Sequence, residues 1–358
     1  MNEMKVAYIT GYDSSSRAHW SGSGYYIRKS LEDAGLDLVP KSFECSRLEE
    51  KFLDFRNRLF HRLDKQGYMS YHDPMRVRLI SRKVDRWLKQ QKDIDLVFSP
   101  GTLQIAYCKT PLPMASWSDA TFHSLCSTYP AYADLSGRGQ RHGDAIEAAY
   151  LKRCAIAFYA SDWAAGDAIH HYGAEPEQVQ VVPLGANFEQ VPSFEALETR
   201  FEYRYHEREF LFVGVDWKRK GGDFVFKTLQ HLRQADYDVH LRVIGVQPPP
   251  EVAAVPWVHC EGFVNKDSEE GRAFLSECFA TAFALFVPSE AECYGLVYAE
   301  ASAHACPSVA RRVGGVPTVV NDDGNGLLIN PGETPQACAA RLIELLDDSQ
   351  RYYLMCRN

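Results

Sequence analysis

The sequence lacks an apolar run approaching the ~18 residues that cross a bilayer. Its opening, "MNEMKVAYIT", enters a strand-like stretch with no basic segment and apolar core of the secretory kind ahead of it. Those two absences lead us to expect a cytoplasmic protein. Cys45, Cys108, Cys126, Cys154, Cys260, Cys278, Cys293, Cys306, Cys338 and Cys356 form no C-x2-C pair, and the histidines show no H-E-x-x-H spacing. The thiols sit inside apolar patterns and read as structural, and the His170-His171 doublet reads as a helix surface, so no metal is expected. An excess of positive charge is also missing: the net charge of -8 argues against a nucleic-acid binder of the usual basic kind.

What is present is enough chain for two cores. At 358 residues, with 46% hydrophobic and 24% charged composition, two soluble domains are the natural expectation. The charge is unevenly spread. Residues 46–93 carry 13 Lys and Arg against 7 Asp and Glu, a net +6, which leaves -14 for the remainder. Within that stretch Arg56, Arg58, Arg62, Lys65, Arg76, Arg78, Arg82, Lys83, Arg86 and Lys89 alternate with Leu, Phe, Ile and Trp at helical spacing. Such a pattern would suit peripheral docking on the inner face of an anionic membrane, or a lipid-phosphate acceptor, but because paired acids dilute the patch we read it first as a solvated helix face.

The chain reads as two series of strand and helix patterns. "KVAYIT" is a strand, "GYDSSSRAHWSGSG" a Gly- and Ser-rich loop, and "YYIRKSLEDAG" a helix stopped at Gly35. "DLVFS", "PLPMASWSD", "AIAFYAS" and "VQVVPLG" are further strands, with helix patterns at "DAIEAAYLKRC" and "DWAAGDAIHHYG". The second series runs from "FLFVGV" through strands "HLRVIG", "FALFVP" and "SVARRV", separated by helices "GGDFVFKTLQHLRQ", "EEGRAFLSECFATA", "GLVYAEASAHA" and "TPQACAARLIELL". Strands separated by helix-length patterns mean parallel βα units. We therefore expect an α/β protein with domains at 1–188 and 209–358, joined by a charged linker at 189–208 that shows no clear strand. Two such sheets in series leave a cleft, and ligands of parallel sheets sit at the carboxyl ends of the strands.

In "FALFVPSEAECYGLVYAEA" a buried strand leads through a polar loop into a helix starting near Tyr294 or Gly295. Unpaired N–H groups and the positive end of the dipole make such a start an anion pocket, and a glycine admits a phosphate close to the backbone. Glu300 lies about 7 to 8 Å along the helix at 1.5 Å per residue, roughly the step from a diphosphate to a ribose whose hydroxyls a carboxylate accepts. Glu292, on the loop, is placed for hydroxyls at the far end of the diphosphate. On spacing alone the pair also reads as ordinary exposed acids.

"PSEAECYGLVYAEASAHACPSVA", followed by "VGGVPTVVNDDGNGLLINPGE", closely resembles the donor-binding region of the retaining glycosyltransferases of family 4, which have the GT-B fold: two Rossmann-like domains facing across a cleft. Their E-x7-E signature falls on Glu292, Tyr294-Gly295 and Glu300. "WSGSGYYIRKSLEDAG", "VVPLGAN" and "FVGVDWKRKGGD" are similar to other family segments, and "SDATF" and "SDWAA" to bacterial enzymes of surface-polysaccharide synthesis. The resemblance implies that Glu300 holds the ribose and Glu292 the transferred sugar. It assigns backbone N–H groups of Cys293, Tyr294, Gly295 and Leu296 to sugar or phosphate, and Lys220 to the diphosphate; Lys220 otherwise reads as a surface lysine before a Gly-Gly turn. Gly22 and Gly24 match the N-terminal glycine loop that reaches the diphosphate, though a plain mobile loop has the same composition.

The chain also departs from the family pattern. Val215 stands where an arginine is usual, leaving Lys218 or Arg219 to supply the charge, and Thr318 stands where a glutamate is common. Ser118 occupies the place of a sugar-contacting histidine. Asp119 beside it reads either as a sugar or acceptor contact or as the N-cap of "ATFHSL", with His123 a weaker substitute. The family's closing helix, which crosses back to the first domain, is missing from the expected elements. The implied activity is transfer of a hexose, with retention, from a nucleoside-diphosphate sugar to a hydroxyl of a saccharide or lipid-linked acceptor in polysaccharide synthesis. A UDP-sugar such as UDP-glucose is the first expectation, GDP-mannose the second. No metal cofactor is implied, there being no D-x-D motif in the expected place. A nucleotide-sugar epimerase, a phosphorylase, and an inactive GT-B binding protein are the rivals.

Overall fold

The computed structural model describes residues 4–358, which divide into two compact units, 4–183 and 184–358. In the first unit β1 (Lys5–Thr10), β2 (Asp37–Ser42), β3 (Leu96–Ser99), β4 (Met114–Ser118), β5 (Ile156–Tyr159) and β6 (Val179–Val181) form one parallel sheet in the order β2-β1-β3-β4-β5-β6. Val6, Ala7, Tyr8 and Ile9 are all buried, an unbroken apolar run that only a strand covered by helices on both faces can hide. Three helices follow the first strands: α1 (Ser23–Asp33), α2 (Arg47–Asp64) and α3 (Pro74–Leu88). Ser46 starts α2 with a capping box, accepting from the Glu49 N–H while Glu49 accepts from the Ser46 N–H at 2.6 Å. Asp73 caps α3 ahead of Pro74, and Val77, Ile80, Val84 and Leu88 give that helix a buried stripe at helical spacing. Its neighbour α2 buries only Leu53 and Phe60.

The second unit contains β7 (Glu209–Val213), β8 (His240–Ile244), β9 (Val258–Gly262), β10 (Ala284–Val287), β11 (Ser308–Arg311) and β12 (Gly326–Ile329), all parallel, in the order β12-β11-β10-β7-β8-β9. Phe210, Phe212, Phe279, Phe283 and Phe286 are fully buried at its centre. Its last helix, Ser349–Arg357, lays Tyr352 flat on Phe283, with ring centroids 4.3 Å apart, and the Tyr352 hydroxyl donates to the Phe283 carbonyl at 2.8 Å. No helix among the described residues is long and apolar enough to cross a membrane.

Residues 189–208 differ from the expected linker. They form two short helices, Phe194–Glu198 and Phe201–Glu207, and belong to the second unit. The first is capped by Ser193, and Leu197 packs on Ala280 and Ala305. Arg204 is buried and donates to the carbonyls of Ala305 and His304. A polar string is thus fastened by one apolar contact and one buried guanidinium whose two terminal nitrogens are bonded to carbonyls, neither of which has a periodic signature. Strands β2, β9 and β12 are additions to the expected set, and all three lie at sheet edges.

Candidate functional site

In the second sheet the chain leaves β7 toward β8 on one side, and leaves β10 toward β11 on the other. The two crossovers part company there, and the crevice beyond the strand ends is where open parallel sheets bind ligands. The loops that meet at this point, 214–221 after β7 and 288–295 after β10, approach closely. Gly221 has φ +78, and a Cβ on it would stand 2.5 Å from the Pro288 carbonyl oxygen. Only glycine fits both the left-handed backbone and the contact.

These loops carry a charged cluster. The Lys220 ammonium is paired with the Glu292 carboxylate, which also accepts from Ser289 Oγ at 3.2 Å and has the Arg219 guanidinium 4.0 Å away. Arg219 donates to the Ala291 carbonyl at 3.0 Å, and its own carbonyl accepts from Glu290 N–H at 2.8 Å, so the two loops are stitched by backbone as well as charge. The Lys220 and Glu292 side chains are only 13% and 12% exposed, which puts two opposite charges in a largely dry place where each depends on the other. Val215 is exposed and adds no charge, and Lys218 is exposed; of the two expected substitutes it is Arg219 that stands beside Glu292.

Beyond the cluster, Gly295 at φ +87 starts the helix Leu296–Ser302 and brings no side-chain cap, so the first-turn N–H groups have no side-chain acceptor at that end. Cys293 and Tyr294 are buried: the Tyr294 hydroxyl donates to the Leu184 carbonyl at 2.7 Å, and the Cys293 carbonyl accepts from Gly315 N–H. Burial pushes the Tyr294 phenol up to about 12. Leu296 is half-buried. Glu300, fifth in the helix, is 1% exposed, and both its oxygens lie 2.8 Å from the Lys266 ammonium. Its carbonyl is bonded to His304 Nδ1, whose other nitrogen meets Ser276 Oγ at 2.8 Å. Glu300 is therefore not an ordinary exposed acid. Lys266 had no part in the expected site; it lies in the polar loop after the edge strand β9, and that position, beyond a strand's carboxyl end, is the one signal that would have found it. Thr318 lies in the short helix Val316–Val319 and donates its N–H to Gly315.

In the first unit the comparable position, where β1 and β3 lie side by side, carries Asp13 and Arg17 on the loop after β1. Trp20, Ser21 and Gly22 all adopt left-handed backbone, at φ 49, 53 and 85, and Gly22 heads α1. Backbone of this kind in two non-glycine residues is costly and collects at functional loops. Gly24 leaves room for Tyr12, whose ring any side chain there would strike. The Trp20 indole N–H points to Asp119 Oδ2 at 3.4 Å. The N-cap alternative for Asp119 is corrected: Thr121 caps the helix Phe122–Thr128, because its hydroxyl and Ser124 exchange bonds in a capping box. Ser118 is bonded to the Ala120 carbonyl, and His123 is held 2.7 Å from Asp167 and stacked on His171 at 3.6 Å.

Residues 29–190 match the family model described as Glycosyltransferase Family 4, and residues 207–348 match that described as Glycosyl transferases group 1. Curated proteins called D-inositol 3-phosphate glycosyltransferase, from Corynebacterium glutamicum (strain R) and Kineococcus radiotolerans, are 34% and 35% identical over 197 and 201 residues. These alignments take in 51% and 50% of this chain and 47% and 46% of the relatives, so the chain spans about half the length of the curated relatives it matches. Among solved structures, a sucrose-phosphate synthase from Thermosynechococcus elongatus superposes with TM-score 0.69 at 16% identity, covering 99% of this chain and 92% of that one. Anabaena HepE in complex with UDP and glucose gives 0.63 at 15%, covering 99% and 93%, and WaaG, a glycosyltransferase involved in lipopolysaccharide biosynthesis, 0.61 at 18%, covering 98% and 93%. At these identities the structural likeness carries the fold alone.

Proposed function

We propose, for a chain that belongs to the family 4 glycosyltransferases and has their GT-B fold, that it moves a hexose from a nucleoside-diphosphate sugar to an acceptor hydroxyl with retention of configuration. The observation that carries this reading is the pairing of Lys220 and Arg219 with Glu292 at the strand ends of the second unit, with Glu300 one helix turn and more beyond. In this reading the two cations and the helix start bind the diphosphate, and Lys220 takes up the charge that builds on it as the sugar leaves. Glu292, freed of part of its hold on Lys220 by the incoming phosphate, accepts hydroxyls of the sugar. Glu300 holds the ribose: an ionised carboxylate offers about four acceptor positions, of which Lys266 uses two, leaving two for the vicinal hydroxyls. Gly22 and Gly24 belong to the loop assigned to the diphosphate, and Asp119 to sugar or acceptor. The charges named suffice without a divalent cation, so transfer is expected to persist in a chelator.

The reaction proposed attacks the same face that the diphosphate leaves, with a diphosphate oxygen taking the acceptor's proton. A UDP-sugar, UDP-glucose foremost, is the donor favoured, with GDP-mannose next. The acceptor is a saccharide or a lipid-linked saccharide of polysaccharide synthesis, and the relatives' name adds a phosphorylated cyclitol to those worth screening. A lipid-linked acceptor would bring residues 46–93 to the inner face of a membrane.

The test is a thermal-shift screen of UDP, GDP and ADP, followed by donor consumption with and without acceptor. A nucleotide at 100 times its dissociation constant adds about 2.7 kcal/mol of stability. Consumption only with acceptor supports transfer; an altered sugar without acceptor would mean an epimerase, and binding without turnover an inactive binding protein.

A further inference from the structure

Helix α2 exposes an apolar stripe to water. Leu48, Phe52, Phe55, Leu59 and Leu63 are 42–78% exposed, and their spacings of four, three, four and four residues put all five within an arc of about 80° at 3.6 residues per turn. The residues that α2 does bury, Leu53 and Phe60, lie on a different side. A helix kept in water by its own unit would carry polar residues on that outer arc. One flank of the stripe is basic: Arg47, Lys51, Arg58 and Arg62 are exposed within about 60° of one another. On the other flank Arg56 and its partner Asp73 line a cavity of about 510 Å³ together with Arg78 and Arg82 of α3, Tyr107 and His142.

Four acids of this region do not neutralise those cations, because they are spent elsewhere, and only Asp54 is left beside the basic row. Glu49 is paired with Lys83 at 2.6 Å, Glu50 with Arg76 at 2.6 Å, Asp64 with Arg138 at 3.0 Å and Asp73 with Arg56 at 3.2 Å. Asp54 is the one acid of α2 that stands exposed. The net +6 of residues 46–93 is therefore sorted in space, with ion pairs facing the protein and unpaired cations beside an apolar stripe. Large apolar side chains bordered by Lys and Arg are what a helix lying in the plane of an anionic bilayer presents.

We infer that the outer face of α2 docks the protein on an anionic lipid bilayer, with Leu48, Phe52, Phe55, Leu59 and Leu63 at the boundary of headgroups and acyl chains and Arg47, Lys51, Arg58 and Arg62 on lipid phosphates. A row of cations favours this partner over a second copy of the chain, whose own row would have to be accommodated beside it. The inference deepens the proposed function by giving a lipid-linked acceptor its meeting place, and it rests on that reading for its purpose alone: lipid binding needs neither donor nor transfer.

Flotation of the full chain with vesicles of phosphatidylcholine, alone and with about one-third phosphatidylglycerol, tests it. Binding is expected to the anionic vesicles only, weakening in high salt, and to fall roughly tenfold for Phe55→Ser/Leu59→Ser and again for Arg58→Glu/Arg62→Glu. Both pairs are exposed, so their melting curves and nucleotide-induced thermal shifts should match the wild type. Equal binding to both vesicles, no binding, or variants that bind as wild type would overturn the inference. So would a wild-type dimer on gel filtration that Phe55→Ser/Leu59→Ser dissolves. If vesicles bind but no nucleotide does, the transfer reading fails and the docking surface stands.

Discussion

The two units share one architecture and distribute their charge in opposite ways. Each is a six-stranded parallel sheet whose strand order reverses at an inner pair, β1 and β3 in one and β7 and β10 in the other. In the second unit that reversal is where the cations are: Arg219, Lys220 and their acid Glu292 meet over glycines that let two loops touch. In the first unit the matching loops hold Tyr12, Trp20 and strained backbone, and the excess of cations lies on α2 and α3 instead. The difference teaches that a parallel sheet supplies a place for a ligand but not its chemistry. Charge gathered at the strand ends suits a small anionic ligand, whereas charge spread along a helix flank suits a broad anionic surface.

If that division of labour is right, the largest effect comes from Lys220→Ala, which should lower kcat by roughly 100- to 1000-fold, a loss of about 3–4 kcal/mol of transition-state stabilisation, in steady-state donor consumption. A change under tenfold would remove the second unit's claim to the leaving group. Next, Glu147 offers a way to perturb the first unit alone. It is buried among Thr102 and Tyr159, and desolvation pushes its carboxyl up to about 7. Because the folded state holds this proton more tightly than the unfolded chain, its contribution is present below about pH 4.5 and lost as pH rises through about 7. Glu147→Gln, which cannot ionise, should match wild type near pH 4 and exceed it by roughly 3 kcal/mol at about pH 8 in urea melts. A gap that does not grow with pH would show the carboxyl to be hydrated.

Glu300→Ala should abolish the nucleotide-induced stabilisation of about 2.7 kcal/mol, while the empty protein, relieved of a buried charge whose partner Lys266 is itself 41% exposed, melts close to wild type. An intact shift would move the ribose elsewhere. The smallest effect is expected in the first unit: Asp119→Ala should reduce kcat/KM for acceptor about tenfold, about 1.4 kcal/mol, and leave the nucleotide shift as it was. A lost shift would tie the first unit to the donor and blur the contrast between the two.

Much of this fold was legible because inner strands of parallel sheets are written as apolar runs. "FALFVP" and "KVAYIT" have no polar interruption, and the helices between them keep their periodicity. The edges are harder. β2, "DLVPKS", contains Pro40 and is mostly exposed, which a strand tolerates only at an edge where one row of backbone groups has no partner. β9, "VHCEG", fully buries only Val258, and β12, "GLLI", is a bare apolar run set between turn-forming Asn and Gly residues, so neither shows a strand pattern. The loop at Glu292 was visible through its resemblance to a known pattern, but its partnership with Lys220 spans 72 residues and that of Glu300 with Lys266 spans 34. Pairings of that range leave no trace in local spacing. The same holds for the acids of 46–93, whose diversion into ion pairs only the packed helices reveal.

The lysine seated on Glu300 bears on the protein between turnovers. A carboxylate this enclosed, left without a partner, would pull the surrounding structure open to reach solvent. With an ammonium already on it, the nucleotide-free form is electrically complete and can wait without loosening. Under the proposed assignment a ribose would join Lys266 on this carboxylate rather than displace it, so the seat is the same before and after a nucleotide binds.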